Sequence, residues 1–173
     1  VAYAKANPGK MNAGVGGSGS FTHLAMAWLA DLAKVEISYI PYKGTGPVLV
    51  DLMAGQLDAT FGNVLSTLPH VKSGKMRALA TSMNKRSAVL PDLPTIAEAG
   101  FAEYDLNTWH GWAGPAGTPN AVVSKMAIEL ARLVKSPQIA EQLAADGGEP
   151  VGSTPEEFRQ LILSEVTRWR RVV

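Results

Sequence analysis

The sequence predicts an α/β fold with a mostly parallel sheet, and three observations carry that expectation. From Met11 to Ser82, short apolar or β-branched runs alternate with runs of helical period, the pattern of βαβ units. A glycine- and serine-rich stretch, Gly16-Gly17-Ser18-Gly19-Ser20, separates the first strand run from the first helix run. From Thr118 onward the alternation stops and every segment reads as helix.

In chain order, Val1 to Asn7 reads as the end of a helix stopped by Pro8-Gly9. Met11–Val15 is a predicted strand, followed by the Gly loop and a helix over about Phe21–Lys34. Val35–Tyr42, rich in β-branched and aromatic residues, is the second strand. Gly46–Ala54 is a short helix with Pro47 in its first turn, where proline is tolerated. Leu57–Phe61 is a third strand, and Leu65–Lys72 a helix with Pro69 as a kink or late start. Met76–Thr81 is a fourth strand. Leu90-Pro91-Asp92-Leu93-Pro94 is a turn-rich connection, and Thr95–Ala99 a short helix closed by Gly100. Asn107–Ala113 reads as an extended crossing segment, with Gly114-Pro115-Ala116-Gly117 as a hinge. Three helix starts then share a hydroxyl N-cap followed by proline: Thr118-Pro119, Ser136-Pro137 and Thr154-Pro155. The last adds Glu157, completing a capping box, and carries the stripe Phe158, Leu161, Ile162, Val166, Trp169, Val173.

Composition narrows the function classes. Of 173 residues, 46% are hydrophobic and 18% charged, enough for one core and the start of a second. Sixteen basic and fifteen acidic residues are interspersed, for a net charge of +1. There is no polybasic footprint for nucleic acid or an anionic membrane. The arginines Arg168, Arg170 and Arg171 suit a helix C-terminus. Cysteine is absent, which excludes disulfides and thiolate metal sites. No apolar run reaches membrane-spanning length, and no signal peptide is visible. The chain opens on Val1 rather than Met, so a mature, trimmed or truncated polypeptide is expected.

The chemistry is expected at the loops that follow the strands. In open α/β sheets, ligands sit at that edge. The first loop opens a helix whose leading N–H groups lack intrahelical partners and carry the positive end of the dipole. It is a candidate pocket for a carboxylate, a phosphate or another anion, with Gly17, Gly19, Ser20, Thr22 and His23 as candidate contacts. Lys43 and Gly44 in the second loop, and Asn63 in the third, are further candidates; Asn63 reads equally as a helix cap. Gly14, Gly16 and Gly19 also fit G-x-G-x-x-G, with Glu36 about twenty residues on, the dinucleotide-binding reading. Against it, the preceding strand is short and polar at Asn12, and Glu36 opens its strand rather than ending it. Ser20 and His23 are close enough in sequence to touch, but an N-cap beside a first-turn residue explains the pair, and no third group orients a nucleophile. His23, His70 and His110 have no metal-ligand spacing, so no metal and no cofactor are expected. Trp109 and Trp112 read as packing groups or cleft lining.

Taken together, these motifs resemble the solute receptors of tripartite tricarboxylate transporters, the Bug-type extracytoplasmic receptors. The segments that carry the resemblance are Asn7-Pro8-Gly9-Lys10, Gly17-x-Gly19-Ser20-x-x-His23-Leu24-Ala25, Pro41-Tyr42-Lys43-Gly44-x-Gly46-Pro47 and Asp51-Leu52-x-x-Gly55-Gln56-Leu57-Asp58. They continue with Gly74-Lys75-x-Arg77-Ala78-Leu79-Ala80, Leu93-Pro94-Thr95-x-x-Glu98-Ala99-Gly100, Pro115-Ala116-Gly117-Thr118-Pro119 and Thr154-Pro155-Glu156-Glu157-Phe158. The resemblance implies a type II periplasmic-binding-protein-like lobe, part of a two-lobed protein that closes on a small organic carboxylate and presents it to membrane permease subunits. By analogy, Gly17, Gly19, Ser20 and Thr22 hold one end of the ligand, and the Lys43-Gly44 and Gly62-Asn63 loops line the same lobe. Where family members often carry an acidic residue, this chain has Gly62. It also implies that residues 1–104 are the second lobe, 105–117 a crossing segment and 118–173 helices that complete the first lobe. Nothing here matches the family's N-terminal half-lobe. The late helices are then expected to repack on the second lobe, pair with another copy or meet that missing half. The expected function is therefore periplasmic capture of a di- or tricarboxylate, an acidic amino acid or an aromatic acid, not catalysis. The alternatives are an NAD(P)-dependent oxidoreductase on the Gly14/Gly16/Gly19 loop and the effector-sensing domain of a transcription regulator.

Overall fold

Strand β1 (Asn12–Val15) lies at the centre of a three-stranded sheet in the computed structural model, with β2 (Ser38–Pro41) on one side and β3 (Ala59–Thr60) on the other. Both pairings are parallel, with Ala13 opposite Tyr39 and Ala59, and Gly14 opposite Ile40 and Thr60. All three strands therefore release their loops at one edge. The structure describes residues 1–145 and 148–170, and the chain divides into two units, Val1–Thr108 and Trp109–Val173.

In the first unit, α1 (Ala2–Ala6) leads into β1, and α2 (Phe21–Ala33) links β1 to β2. Helix α2 buries Thr22, Ala25, Met26, Ala30 and Ala33, the face its 3.6-residue period puts together. Its C-terminus is closed by Lys34 in the left-handed region, φ 51°. Helix α3 (Thr45–Met53) crosses back to β3 and buries Val48 and Leu49. Gly14 is what lets it come so close: a Cβ there would stand 2.6 Å from Val48 Cγ1 and 2.5 Å from Leu57 Cδ1. Ala13 and Val15 point to the opposite face by strand alternation and are almost fully buried. Helix α4 (Val64–Lys72) follows β3 and carries Pro69 in its last turn.

Residues 81–106 form a layer without regular strands. Thr81 makes an isolated parallel bridge with Thr95, and the Leu106 amide donates to Ser82 O at 2.7 Å. Tyr104 anchors this layer. Its ring is fully buried, it stacks on Trp28 and Phe61 at 5.0 and 6.1 Å, and its hydroxyl donates to Ala25 O at 2.8 Å. Burial drives its phenol well above the usual tyrosine range.

Several local expectations are corrected. Met76–Thr81 is not a strand beyond the single bridge at Thr81. Thr95–Ala99 is one hydrogen-bonded turn rather than a helix, held by a reciprocal pair: Glu98 N–H to Thr95 Oγ1 at 3.0 Å and Thr95 N–H to Glu98 Oε2 at 2.9 Å. Residues 35–37 precede β2 rather than belonging to it.

The second unit holds α5 (Asn120–Val134), α6 (Pro137–Ala145) and α7 (Pro155–Trp169). Helix α5 starts one residue late: Pro119 is its N-cap, and the Thr118 hydroxyl turns back to Pro115 O at 2.7 Å. The Ser136 hydroxyl likewise donates backward, to Leu133 O. Only Thr154 caps as the sequence predicts. It accepts from Glu157 N–H, while the Glu157 carboxylate accepts from Thr154 N–H at 2.7 Å. Trp109 meets the Phe158 ring edge-on at 5.3 Å. No described residue of α5, α6 or α7 is buried, and Met126, Ile128, Leu161 and Leu163 are more than a third exposed. Of the expected stripe and arginine cluster, Val173 and Arg171 lie outside the described residues.

Candidate anion-binding loop at the sheet edge

The β1–α2 loop leaves the central strand and is held from several sides. Gly17 and Gly19 take positive φ, 137° and 72°, which a side chain would strain. The Ser20 amide closes a turn on Gly17 O at 3.2 Å, and Ser20 then caps α2 by accepting from the His23 amide at 3.3 Å. The Gly19 amide donates to His23 Nδ1 at 3.0 Å, and the Gly16 amide donates to Thr22 Oγ1 at 2.8 Å. Against these engaged groups, the amides of Gly17, Ser18 and Thr22 have no protein acceptor among the described residues. Ser18 and Gly19 are exposed, so the loop opens to solvent.

A proton count sharpens the chemistry. Ser20 Oγ and Thr22 Oγ1 lie 3.0 Å apart and share one hydrogen bond. Each hydroxyl has one proton, and one such bond uses one of them. Thr22 is only 8% exposed, whereas Ser20 is half-buried. The arrangement that leaves no buried donor idle has Thr22 donating to Ser20, which frees the Ser20 proton for a ligand.

The second loop is tied to the first. Past the strands, the Tyr42 amide donates to Val15 O at 2.9 Å and the Gly44 amide to Gly16 O at 3.2 Å. Lys43 stands between these two tied amides, exposed, beside Gly44, the N-cap of α3. Tyr42 is braced by its hydroxyl bond to Asp51 Oδ2 at 2.6 Å, which with partial burial holds its phenol above the ordinary range. The third loop reaches the same edge because β3 pairs with β1. Asn63 caps α4: its Oδ1 accepts from the Ser66 amide at 2.9 Å and from the Ser66 hydroxyl at 2.8 Å. The cap uses the oxygen and leaves the Nδ2 donors. Three helix N-termini thus face one edge, and Lys43 is the one charged side chain among residues 16–20, 42–46 and 61–63. Such an edge attracts anions.

Two rival chemistries lose their geometry. Gly14 lies inside β1 and serves helix packing rather than a turn around pyrophosphate. Glu36 precedes β2, so it is at the opposite edge from the glycines, and it is exposed. The link between Ser20 and His23 runs through the His23 backbone amide, while the imidazole Nδ1 is engaged with Gly19. A serine–histidine nucleophile pair is not formed. The sequence reading missed Tyr39, whose ring meets the His23 ring edge-to-face at 4.8 Å; its position two residues before Pro41 at the end of a strand was the available signal. Trp109, His110 and Trp112 belong to the second unit.

The chain is similar to known proteins along its whole length. The family described as tripartite tricarboxylate transporter family receptor matches residues 1–173. Protein BugT of Bordetella pertussis is 35% identical over 173 residues, covering 100% of this chain and 53% of its own length. An R. palustris protein, Rpa4515, solved with adipate, matches with a TM-score of 0.93 and 34% identity, over 99% of this chain and 57% of that one. The periplasmic binding protein BugD matches with a TM-score of 0.92 and 32% identity, over 99% and 58%. The chain spans about half the length of most of the curated relatives it matches, BugT among them.

Proposed function

This chain belongs to the tripartite tricarboxylate transporter receptor family, and from that membership we infer that it supplies the carboxylate grip of an extracytoplasmic solute receptor. The carrying observation is the β1–α2 loop, where three unengaged amides and one hydroxyl proton meet the positive end of α2. A carboxylate offers acceptors and negative charge to all of them. In this reading Gly17, Gly19, Ser20 and Thr22 shape and make the grip. Lys43 and Gly44 add a cation and a close backbone, and the Asn63 amide adds donors. The ligand class is a small organic acid: a di- or tricarboxylate, an acidic amino acid or an aromatic acid. The adipate of the R. palustris neighbour is one such acid.

Residues 1–104 serve as one lobe, 105–117 as the crossing segment and 118–173 as helices of the other. The unburied faces of α5, α6 and α7 support a further layer packed on them, supplied by the remainder of a receptor about twice this length. Ligand binding then shifts the receptor toward a closed form, because some contacts exist only there, and the closed form is what permease subunits recognise. The protein works as a receptor and not as an enzyme.

Thermal unfolding tests the reading. Succinate, citrate, glutamate, adipate and benzoate are compared with NAD(P) at millimolar concentration. A rise in melting temperature with at least one acid and none with NAD(P) is expected. A shift with NAD(P) and none with any acid would falsify it.

A further inference from the structure

We propose that His23 is a positioning residue of the β1–α2 loop, its Nδ1 fixing the Gly19 amide, rather than a group that touches the ligand. The inference rests on the reading of this loop as the carboxylate grip. Gly19 is exposed and in the left-handed region, φ 72°, so its peptide plane has little steric restraint of its own. The imidazole supplies the restraint, accepting the Gly19 N–H at 3.0 Å. The residue is itself held twice. Its backbone amide is bound to the Ser20 cap, and the edge-to-face contact with Tyr39 ties it to β2.

The peptide that carries the Gly19 N–H also carries the Ser18 carbonyl. If that plane turns over, the Ser18 oxygen rotates toward the side the N–H now leaves. The carbonyl then faces His23 Nδ1, acceptor against acceptor, and its dipole sets negative charge in a loop whose Gly17 and Ser18 amides have no protein acceptor among the described residues. The hydrogen bond to His23 prevents this and keeps the loop positive. Because Nδ1 accepts, the neutral ring carries its proton on Nε2.

The test uses the full 173-residue chain, nitrogen-15 labelled. Imidazole nitrogen shifts of His23 are expected to report the Nε2–H tautomer, with slow exchange of the Gly19 amide. His23→Asn places an acceptor oxygen near the Nδ1 position and is expected to keep the Gly19 protection, with affinity for succinate or adipate within about threefold. His23→Leu has no acceptor and is expected to speed Gly19 exchange and weaken that affinity by about tenfold, the scale of one lost hydrogen bond. An Nδ1–H tautomer, wild-type Gly19 protection in His23→Leu, or His23→Asn behaving like His23→Leu each overturns the assignment. If neither leucine nor asparagine variant folds, the tautomer and Gly19 exchange of the wild type still decide it. If no acid binds the wild type, the receptor reading falls, and those same two signals alone uphold or overturn the role of His23.

Discussion

Replacing Ser20 by alanine and by glycine separates two jobs done by one hydroxyl. As the N-cap of α2, Ser20 Oγ accepts from the His23 amide and shares a hydrogen bond with Thr22 Oγ1. Losing a serine cap to alanine costs about 1 kcal/mol of stability, whereas glycine costs only a few tenths, because glycine solvates the helix end well. The ligand job is independent of that difference. The free Ser20 proton would donate to a carboxylate, and a hydrogen bond to a charged partner is worth about 1.5–3 kcal/mol. Both variants should therefore weaken acid binding by about 10- to 150-fold, and both lose the partner of the Thr22 hydroxyl, but Ser20→Ala should be the less stable of the two. Urea unfolding followed by circular dichroism gives the first number, and calorimetric titration with the acid that raises the melting temperature gives the second. A Ser20→Gly variant that binds within twofold of wild type would show that the hydroxyl caps the helix and does nothing for the ligand.

Three other perturbations follow from the same geometry. Thr22→Val removes the acceptor of the part-buried Gly16 amide and should cost about 1–3 kcal/mol in urea unfolding; an unchanged midpoint would mean that water replaces the hydroxyl. Tyr104→Phe loses only the bond to Ala25 O and should cost about 1 kcal/mol, but Tyr104→Ala empties the centre of the residue 81–106 layer and should cost about 3–5 kcal/mol. Equal losses in the two would contradict the packing role. In α7, the Thr154 backbone and side-chain bonds, with Lys135 nearby, hold the Glu157 carboxyl below the usual range. A depressed folded value means this contribution is present above the unfolded carboxylate range and is lost as pH falls through the folded value. Helicity of α7 should fray on acidification, and Glu157→Gln should flatten that dependence; an identical acid profile in the variant would remove the capping box as its source.

The geometry of the loops at the sheet edge was more legible than the sheet. Glycine, serine and proline at strand–helix junctions act through local chemistry, so Gly17, Gly19, Ser20, Gly44 and Asn63 could be placed before any contact was known. The Thr154–Glu157 box was readable for the same reason. Met76–Thr81 failed because a strand exists only through its partner, and beyond the bridge of Thr81 to Thr95 the segment has none among the described residues. Thr95–Ala99 failed because five residues between Pro94 and Gly100 close one turn but cannot propagate a helix. Thr118 and Ser136 looked like caps, yet their hydroxyls found carbonyls three residues back. The role of Gly14 was hidden, since it depends on Val48 and Leu57, which lie more than thirty positions further along the chain. His23 shows the limit most clearly: its position in the first turn was visible, but the use of Nδ1 by Gly19 depends on the ring orientation, which packs against Tyr39 sixteen positions further along the chain.

Mapping backbone amide shifts during titration with an organic diacid is the most direct check that the sheet edge receives an acid. Saturable movement of the Gly17, Ser18 and Thr22 signals, with NAD(P) leaving them in place, is the outcome expected from the open donors. Signals that stay fixed there while others move elsewhere on the chain would contradict the account.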